Sequence, residues 1–184
     1  MSVRSRWGAG VVAVVVALAS TAACSVGGGS VLADPDAPVG VPDDAEQARV
    51  VRVVDGDTVI LRGSGEGVVP DDEARVRLLE VDSPESVAPD RPVECFGPEA
   101  SEGLAELLPA GATVWVAPDE ELEDPFDRLL LYVWTTDGEF VNRSLVREGL
   151  AEAVLYEPND RYIAEVRAAE RAARDEGAGL WGAC

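Results

Sequence analysis

Residues 49–54 of this 184-residue chain read Arg-Val-Val-Arg-Val-Val, are interrupted by Asp55-Gly56, and resume as Thr58-Val59-Ile60-Leu61. β-Branched residues suit a pleated strand and Asp-Gly a tight reversal, so the segment predicts a hairpin. The remaining pattern is a succession of similar short pieces. Residues 62–72 form a Gly-rich loop, and 74–81 a third strand with Arg75, Arg77, Leu79 and Val81 on one face. Further strands are expected at 113–117 and 128–134, separated by an acidic loop at 118–127, with another near 151–156. A helix begins near Pro98, carries the stripe Ala100, Leu104, Leu107 and Leu108, and stops at Pro109-Ala110-Gly111. A short helix is expected over 141–148. A longer one over 160–176 would bury Tyr162, Val166, Ala169 and Ala173 and end at Gly177. About five strands with two or three helices is an α+β pattern. A small closed barrel protects so few strands from open edges.

Ahead of this domain, residues 1–23 read as a secretory signal, with Arg4 and Arg6 in the charged region and an apolar run at 11–19 too short to span a membrane comfortably. Thr21-Ala22-Ala23-Cys24 resembles the end of a bacterial lipoprotein signal, in which Cys24 becomes the lipidated first residue; ordinary signal cleavage is the alternative. Either way the chain is expected to be exported, anchored to the outer face of the cell membrane or secreted. Residues 24–48, rich in Gly, Ser, Pro and Asp, read as a flexible tether, leaving 49–184 as the domain. An exported protein with Cys95 and Cys184 remaining favours a disulfide over two free thiols. Closing a loop of about 90 residues, it would contribute roughly 4–5 kcal/mol on the chain-entropy account.

The chain has no His, and all 15 of its basic side chains are Arg against 35 acidic ones, a formal charge of −20. Without His, the Ser-His-Asp and Cys-His nucleophile pairs and His-ligated zinc are excluded. Chemistry must come from carboxylates, Arg, hydroxyls or a hard cation held through oxygen. The acidity argues against a nonspecific polyanion-binding surface, though not against a local Arg cluster. Three stretches carry candidates. Asp55-Gly56-Asp57-Thr58 is a turn or part of a metal site. In Arg77-Leu78-Leu79-Glu80-Val81-Asp82-Ser83-Pro84-Glu85, a costly Arg lies in an apolar strand. Asp57 and Asp82 could hold a cation there, or Arg77 could pair structurally with Glu85 or Asp82. In Asp124-Pro125-Phe126-Asp127-Arg128, an Arg lies at the mouth of an apolar strand, reaching either solvent or a ligand. Together, two Arg, a Glu and an oxygen-rich cation site are the parts for hydrolysing a phosphodiester without His.

Those stretches, with Phe96-Gly97-Pro98-Glu99-Ala100-Ser101, Phe140-Val141-Asn142 and Tyr156-Glu157-Pro158-Asn159, resemble the staphylococcal nuclease family in order and spacing from about residue 49 to 181. The resemblance implies a five-stranded OB-fold barrel with about three helices. It further implies a monomeric calcium-dependent nuclease acting on DNA and RNA and leaving 3′-phosphate ends. It makes Asp57, Asp82 and the Ser83 carbonyl calcium ligands, Glu85 the general base, and Arg77 and Arg128 the phosphate-binding arginines. Phe126 and Tyr156 would line the nucleotide pocket. Where the family often has Gly, Asp127 precedes Arg128, and its charge is expected to pair with that arginine. The competing reading is a non-catalytic OB-fold module displayed on the cell surface, binding an oligonucleotide or other partner.

Overall fold

A computed structural model describes residues 37–86 and 92–184. The signal segment, Cys24 and most of the tether lie outside the described residues. Five strands close into a barrel in the order β1-β2-β3-β6-β5: β1 (Glu46–Val53), β2 (Thr58–Arg62), β3 (Ala74–Leu78), β5 (Thr113–Glu123) and β6 (Leu129–Thr135). β3 and β6 run parallel and the other neighbours antiparallel, with β1 joined to both β2 and β5. Alternate residues fill the interior, among them Val50, Val59, Leu61, Val76, Val114, Val116, Leu131 and Val133. A separate two-stranded antiparallel piece pairs β4 (Val81–Asp82), just after β3, with β7 (Glu152–Ala153), just after α2. Among the described residues four helices are interspersed: α1 (Gly97–Leu107) before β5, α2 (Val141–Arg147) before β7, then α3 (Ile163–Glu176) and the single turn α4 (Leu180–Ala183).

The expected elements are present, with instructive shifts. β1 starts at Glu46, three residues before the domain start expected at 49, because Glu46 to Arg49 pair with Val116 to Thr113 and close the barrel. The expected third strand breaks in two. Glu80 adopts φ 61, ending β3 and turning the chain so that β4 leaves the barrel. The break is held from both sides. Leu79 N–H donates to the Leu131 carbonyl, and the buried Asn142 amide donates to the Leu79 carbonyl at 2.8 Å while accepting from Val133 N–H at 2.9 Å. β5 runs into the expected acidic loop as far as Glu123, its register slipping after Pro118, which has no N–H to offer the ladder. The strand expected near 151–156 is reduced to Glu152–Ala153. α3 begins at Ile163 rather than 160, and α4 was not anticipated.

Candidate active site

The hairpin turn between β1 and β2 builds the first wall of the site. Val54 N–H donates to the Thr58 carbonyl at 2.8 Å, and Asp55 Oδ1 accepts from Asp57 N–H. Gly56 is required by close approach: a Cβ there would lie 2.7 Å from the Ser83 side chain and 2.8 Å from the Ala100 Cβ. The turn can thus nest against both the 82–85 segment and α1. Asp57, 7% exposed, accepts from Ser83 N–H at 2.9 Å and Ser83 Oγ at 3.0 Å. The β2–β3 register sets Thr58 opposite Arg77, which places Asp57 beside that arginine.

Arg77 is itself buried and heavily engaged. Its Nε lies 3.2 Å from Asp57 Oδ1, its Nη1 donates to the Leu78 and Val81 carbonyls, and its Nη2 donates to Asp82 Oδ1 at 2.8 Å. Of the two structural partners open in the sequence, Asp82 is used and Glu85 is not among these bonds; Asp57 is added. A guanidinium has five N–H donors. Three are taken by hydrogen bonds and the Nε–H faces Asp57, leaving one Nη2 hydrogen.

Arg128 is clamped differently. Its Nε and Nη2 reach the same Asp124 oxygen at 2.7 and 2.6 Å, while the other Asp124 oxygen accepts from Phe126 N–H and Arg128 N–H. Asp124 therefore both folds the 124–128 turn and orients the arginine. Burial acts to raise its carboxyl, but these bonds outweigh it and hold Asp124 below the usual carboxylate range. This corrects the expectation for Asp127: the pairing partner is Asp124, four residues back. Asp127 instead takes φ 59, the left-handed backbone that explains a preference for Gly there. The Nη1 edge of Arg128 is left without a protein partner among these bonds, and the guanidinium lies 5.7 Å from the exposed Phe126 ring.

Glu85 is half-buried on the segment after β4, its backbone bound to Glu94: Glu85 N–H donates to Glu94 Oε2 at 3.0 Å and Glu94 N–H to the Glu85 carbonyl at 2.8 Å. Tyr156 is carried by a turn closed by Asn159 N–H on its carbonyl; the buried Asn159 side chain docks that turn onto Glu121 of β5 with bonds of 2.8 and 3.0 Å. All these pieces face one cleft of 910 Å³, lined by Arg77, Glu85, Arg128, Phe126 and Tyr156 together with Asp55, Asp57, Asp82 and Ser83. Every site residue named from the sequence within the described domain therefore lies at this cleft, except the two cysteines. Cys95 and Cys184 are bonded to each other outside it. What sequence reasoning missed was Glu94, together with the supporting roles of Asp124, Asn142 and Asn159, quoted there only as parts of longer stretches. The i, i+4 spacing of Asp124 and Arg128 was a usable signal; the other three depend on contacts far apart in the chain.

The electrostatics of the cleft are dominated by carboxylates. Burial, followed by the Asp57 charge, raises Asp55; burial raises Asp82 despite Arg77, with Asp57 and Glu94 adding to it. Crowded oxygen donors whose ionised forms are disfavoured suit a hard cation. Among the described residues no three acidic or cysteine side chains converge to hold a metal alone. A cation here would need carbonyl or water oxygens besides Asp57 and Asp82.

Residues 75–183 match the profile of the staphylococcal nuclease homologue family. The chain is 38% identical over 136 residues to a thermonuclease of Staphylococcus intermedius, spanning 74% of this chain and 76% of that one. It is 34% identical over 148 residues to a thermonuclease of Staphylococcus hyicus, spanning 80% and 83%. It is also 34% identical over 148 residues to endonuclease YncB of Bacillus subtilis, spanning 77% and 67%.

Proposed function

The chain belongs to the staphylococcal nuclease family and is a nuclease, and from this premise we propose that it is a calcium-dependent endonuclease cutting DNA and RNA to leave 3′-phosphate ends. The observation that carries the reading is the convergence of Glu85 with two incompletely satisfied arginines on one cleft. Hydrolysis needs a water aimed at phosphorus and compensation for the charge that builds on the phosphoryl oxygens. Glu85 takes the first role, accepting the water's proton or orienting it. The Nη1 edge of Arg128, without a hydrogen-bond partner among the described residues, offers a two-pronged donor to phosphate oxygens, and the remaining Nη2 hydrogen of Arg77 offers one more. Phe126 and Tyr156, both exposed at the rim, give flat apolar surface for a base or sugar.

Asp57, Asp82 and the Ser83 carbonyl would hold calcium. A bound cation there supplies Lewis-acid stabilisation of the phosphate and offsets the repulsion between Asp55, Asp57 and Asp82. We also propose that the protein acts as a monomer outside the cell, delivered by the 1–23 signal and held to the membrane by a lipid on Cys24. Incorporation of labelled fatty acid that is lost in Cys24→Ala tests the anchor.

The direct test is cleavage of single-stranded DNA by the purified protein with calcium and then with chelator, alongside Glu85→Gln. Expected are calcium-dependent cleavage, 3′-phosphate ends, and a fall of about 10²-fold or more in Glu85→Gln. A folded protein that cleaves nothing at any salt concentration would instead point to the non-catalytic OB-fold module, its arginines neutralised by Asp57, Asp82 and Asp124.

A further inference from the structure

The disulfide lies outside the cleft, yet the chain leads from it directly to Glu85. Cys95 follows Glu94, and Glu94 holds Glu85 at two points, through its side chain on the Glu85 amide and its own amide on the Glu85 carbonyl. The Glu94 carbonyl in turn accepts from Gly97 N–H at 3.1 Å, the first residue of α1. Pro92, Val93, Glu94 and Cys95 are all exposed. Burial therefore does little to keep this stretch in place, and hydrogen bonds open to water contribute little by themselves.

The other end of the disulfide is well anchored. Cys184 caps α4, its N–H donating to the Leu180 carbonyl. Leu180 is buried, and its N–H donates to the Gly149 carbonyl just after α2. Gly179 and Gly149 touch so closely that a Cβ on Gly179 would lie 2.3 Å from the Gly149 oxygen. The Arg174 guanidinium of α3 sits 3.9 Å over the Trp181 ring. The covalent link thus fastens an exposed, weakly held turn to a helix docked on the body of the domain.

We propose that the Cys95–Cys184 disulfide is a positioning device for the nuclease reaction: by fixing Glu94 it holds the Glu85 backbone, and so the carboxylate, at the cleft. This rests on the reading of Glu85 as the group that acts on the attacking water. Glu94, which also lines the cleft, and the two cysteines, which do not, act through Glu85.

The experiment compares the parent protein with Cys95→Ser/Cys184→Ser, Glu94→Ala and Glu94→Gln in steady-state cleavage and in amide hydrogen exchange. Loss of the disulfide, or of the Glu94 carboxylate, is expected to lower kcat about tenfold or more while KM changes little, since misplacing a reacting group by an ångström is that costly. Glu94→Gln keeps an acceptor for the Glu85 amide and should retain most of the parent's kcat. In the disulfide variant the Glu85 and Glu94 amides should exchange about tenfold faster, with the barrel amides of Leu131 and Val133 unchanged. An unchanged kcat in the disulfide variant, or exchange that rises evenly across the domain, would overturn the proposal and leave the disulfide a general stabiliser. If the parent cleaves nothing, the nuclease reading fails separately; the exchange measurement still decides whether the link holds Glu85.

Discussion

Two buried ionisable residues show how much a single side chain can be asked to do. Arg77 is wrapped by Asp57, Asp82 and two carbonyls, so it is a structural brace as well as the phosphate ligand proposed above. Removing it leaves the buried Asp57 without its cation, and Arg77→Ala should therefore lose about 3 kcal/mol of stability as well as activity. Arg128→Ala, where the side chain is 22% exposed and Asp124 keeps the Phe126 and residue-128 N–H groups, should lose activity with a smaller stability loss of about 1–2 kcal/mol. Urea unfolding of the two variants checks this, and equal stability losses would contradict it.

Glu80 is the second case. The Tyr132 hydroxyl lies 2.7 Å from Glu80 Oε1 and 2.9 Å from Asp119 Oδ2, but has one proton to give. Both contacts are attractive only if a carboxyl carries another. Burial raises the Glu80 carboxyl above its ordinary range despite bonds from Tyr132 and Tyr162 N–H, and the Asp119 charge adds to the rise. The folded state then keeps a proton that the unfolded chain releases above its ordinary carboxylate value. Glu80's contribution is fully present below that value and declines as pH rises through the raised one. Relative to Glu80→Gln, the parent should lose about 1 kcal/mol or more between pH 4 and 8. A stability difference that stays flat over that range would show that folding leaves the Glu80 carboxyl unshifted.

At the level of elements, the site depends on how closely helices and turns approach one another. The first residue of α1 is held to Gly by close approach, since a Cβ on Gly97 would lie 2.5 Å from the Glu85 carbonyl oxygen. Gly97→Ala favours the helix by propensity but must push the Glu85 segment away. We expect kcat to fall about tenfold to a hundredfold, with the helical circular-dichroism signal kept. Full activity would show that the segment tolerates the shift. Much of this level was legible beforehand. The 49–61 hairpin, α1, α2 and α3 follow from runs of apolar residues, turn signals and caps, all of which act over a few residues. The break at Glu80 was not, since an uninterrupted run from Ala74 to Val81 reads as one strand. What breaks it is Asn142 and Tyr132, contributed from far along the chain.

For the whole molecule, charge sets the behaviour toward a polyanion. At −20 the protein repels nucleic acid at long range, while the arginines, and the cation proposed to bind beside them, would attract it only within the cleft. Salt screens the long-range part first, the Debye length being about 10 Å at 0.1 M. kcat/KM on a short single strand should therefore rise several-fold, by roughly that order, from 10 to 150 mM salt before falling, opposite to the monotonic loss expected of a basic protein. A steady fall from the lowest salt would mean that contacts in the cleft outweigh the global field.

The sequence by itself determined which kinds of chemistry are open, because the absence of His and the choice of Asp, Glu and Arg are facts of composition. It also determined the order of strands and helices, because dihedral preference and apolar periodicity are local. Only the tertiary structure decided who pairs with whom. Asp124 rather than Asp127 holds Arg128, because Asp127 turns through a left-handed backbone while Asp124 closes the turn beneath the guanidinium. Asp57 reaches Arg77 because the β2–β3 register sets Thr58 opposite it. Glu94 meets Glu85 where the chain returns to begin α1. Satisfying a buried charge is a question of distance in space, which barrel closure settles and neighbouring residues in the chain do not.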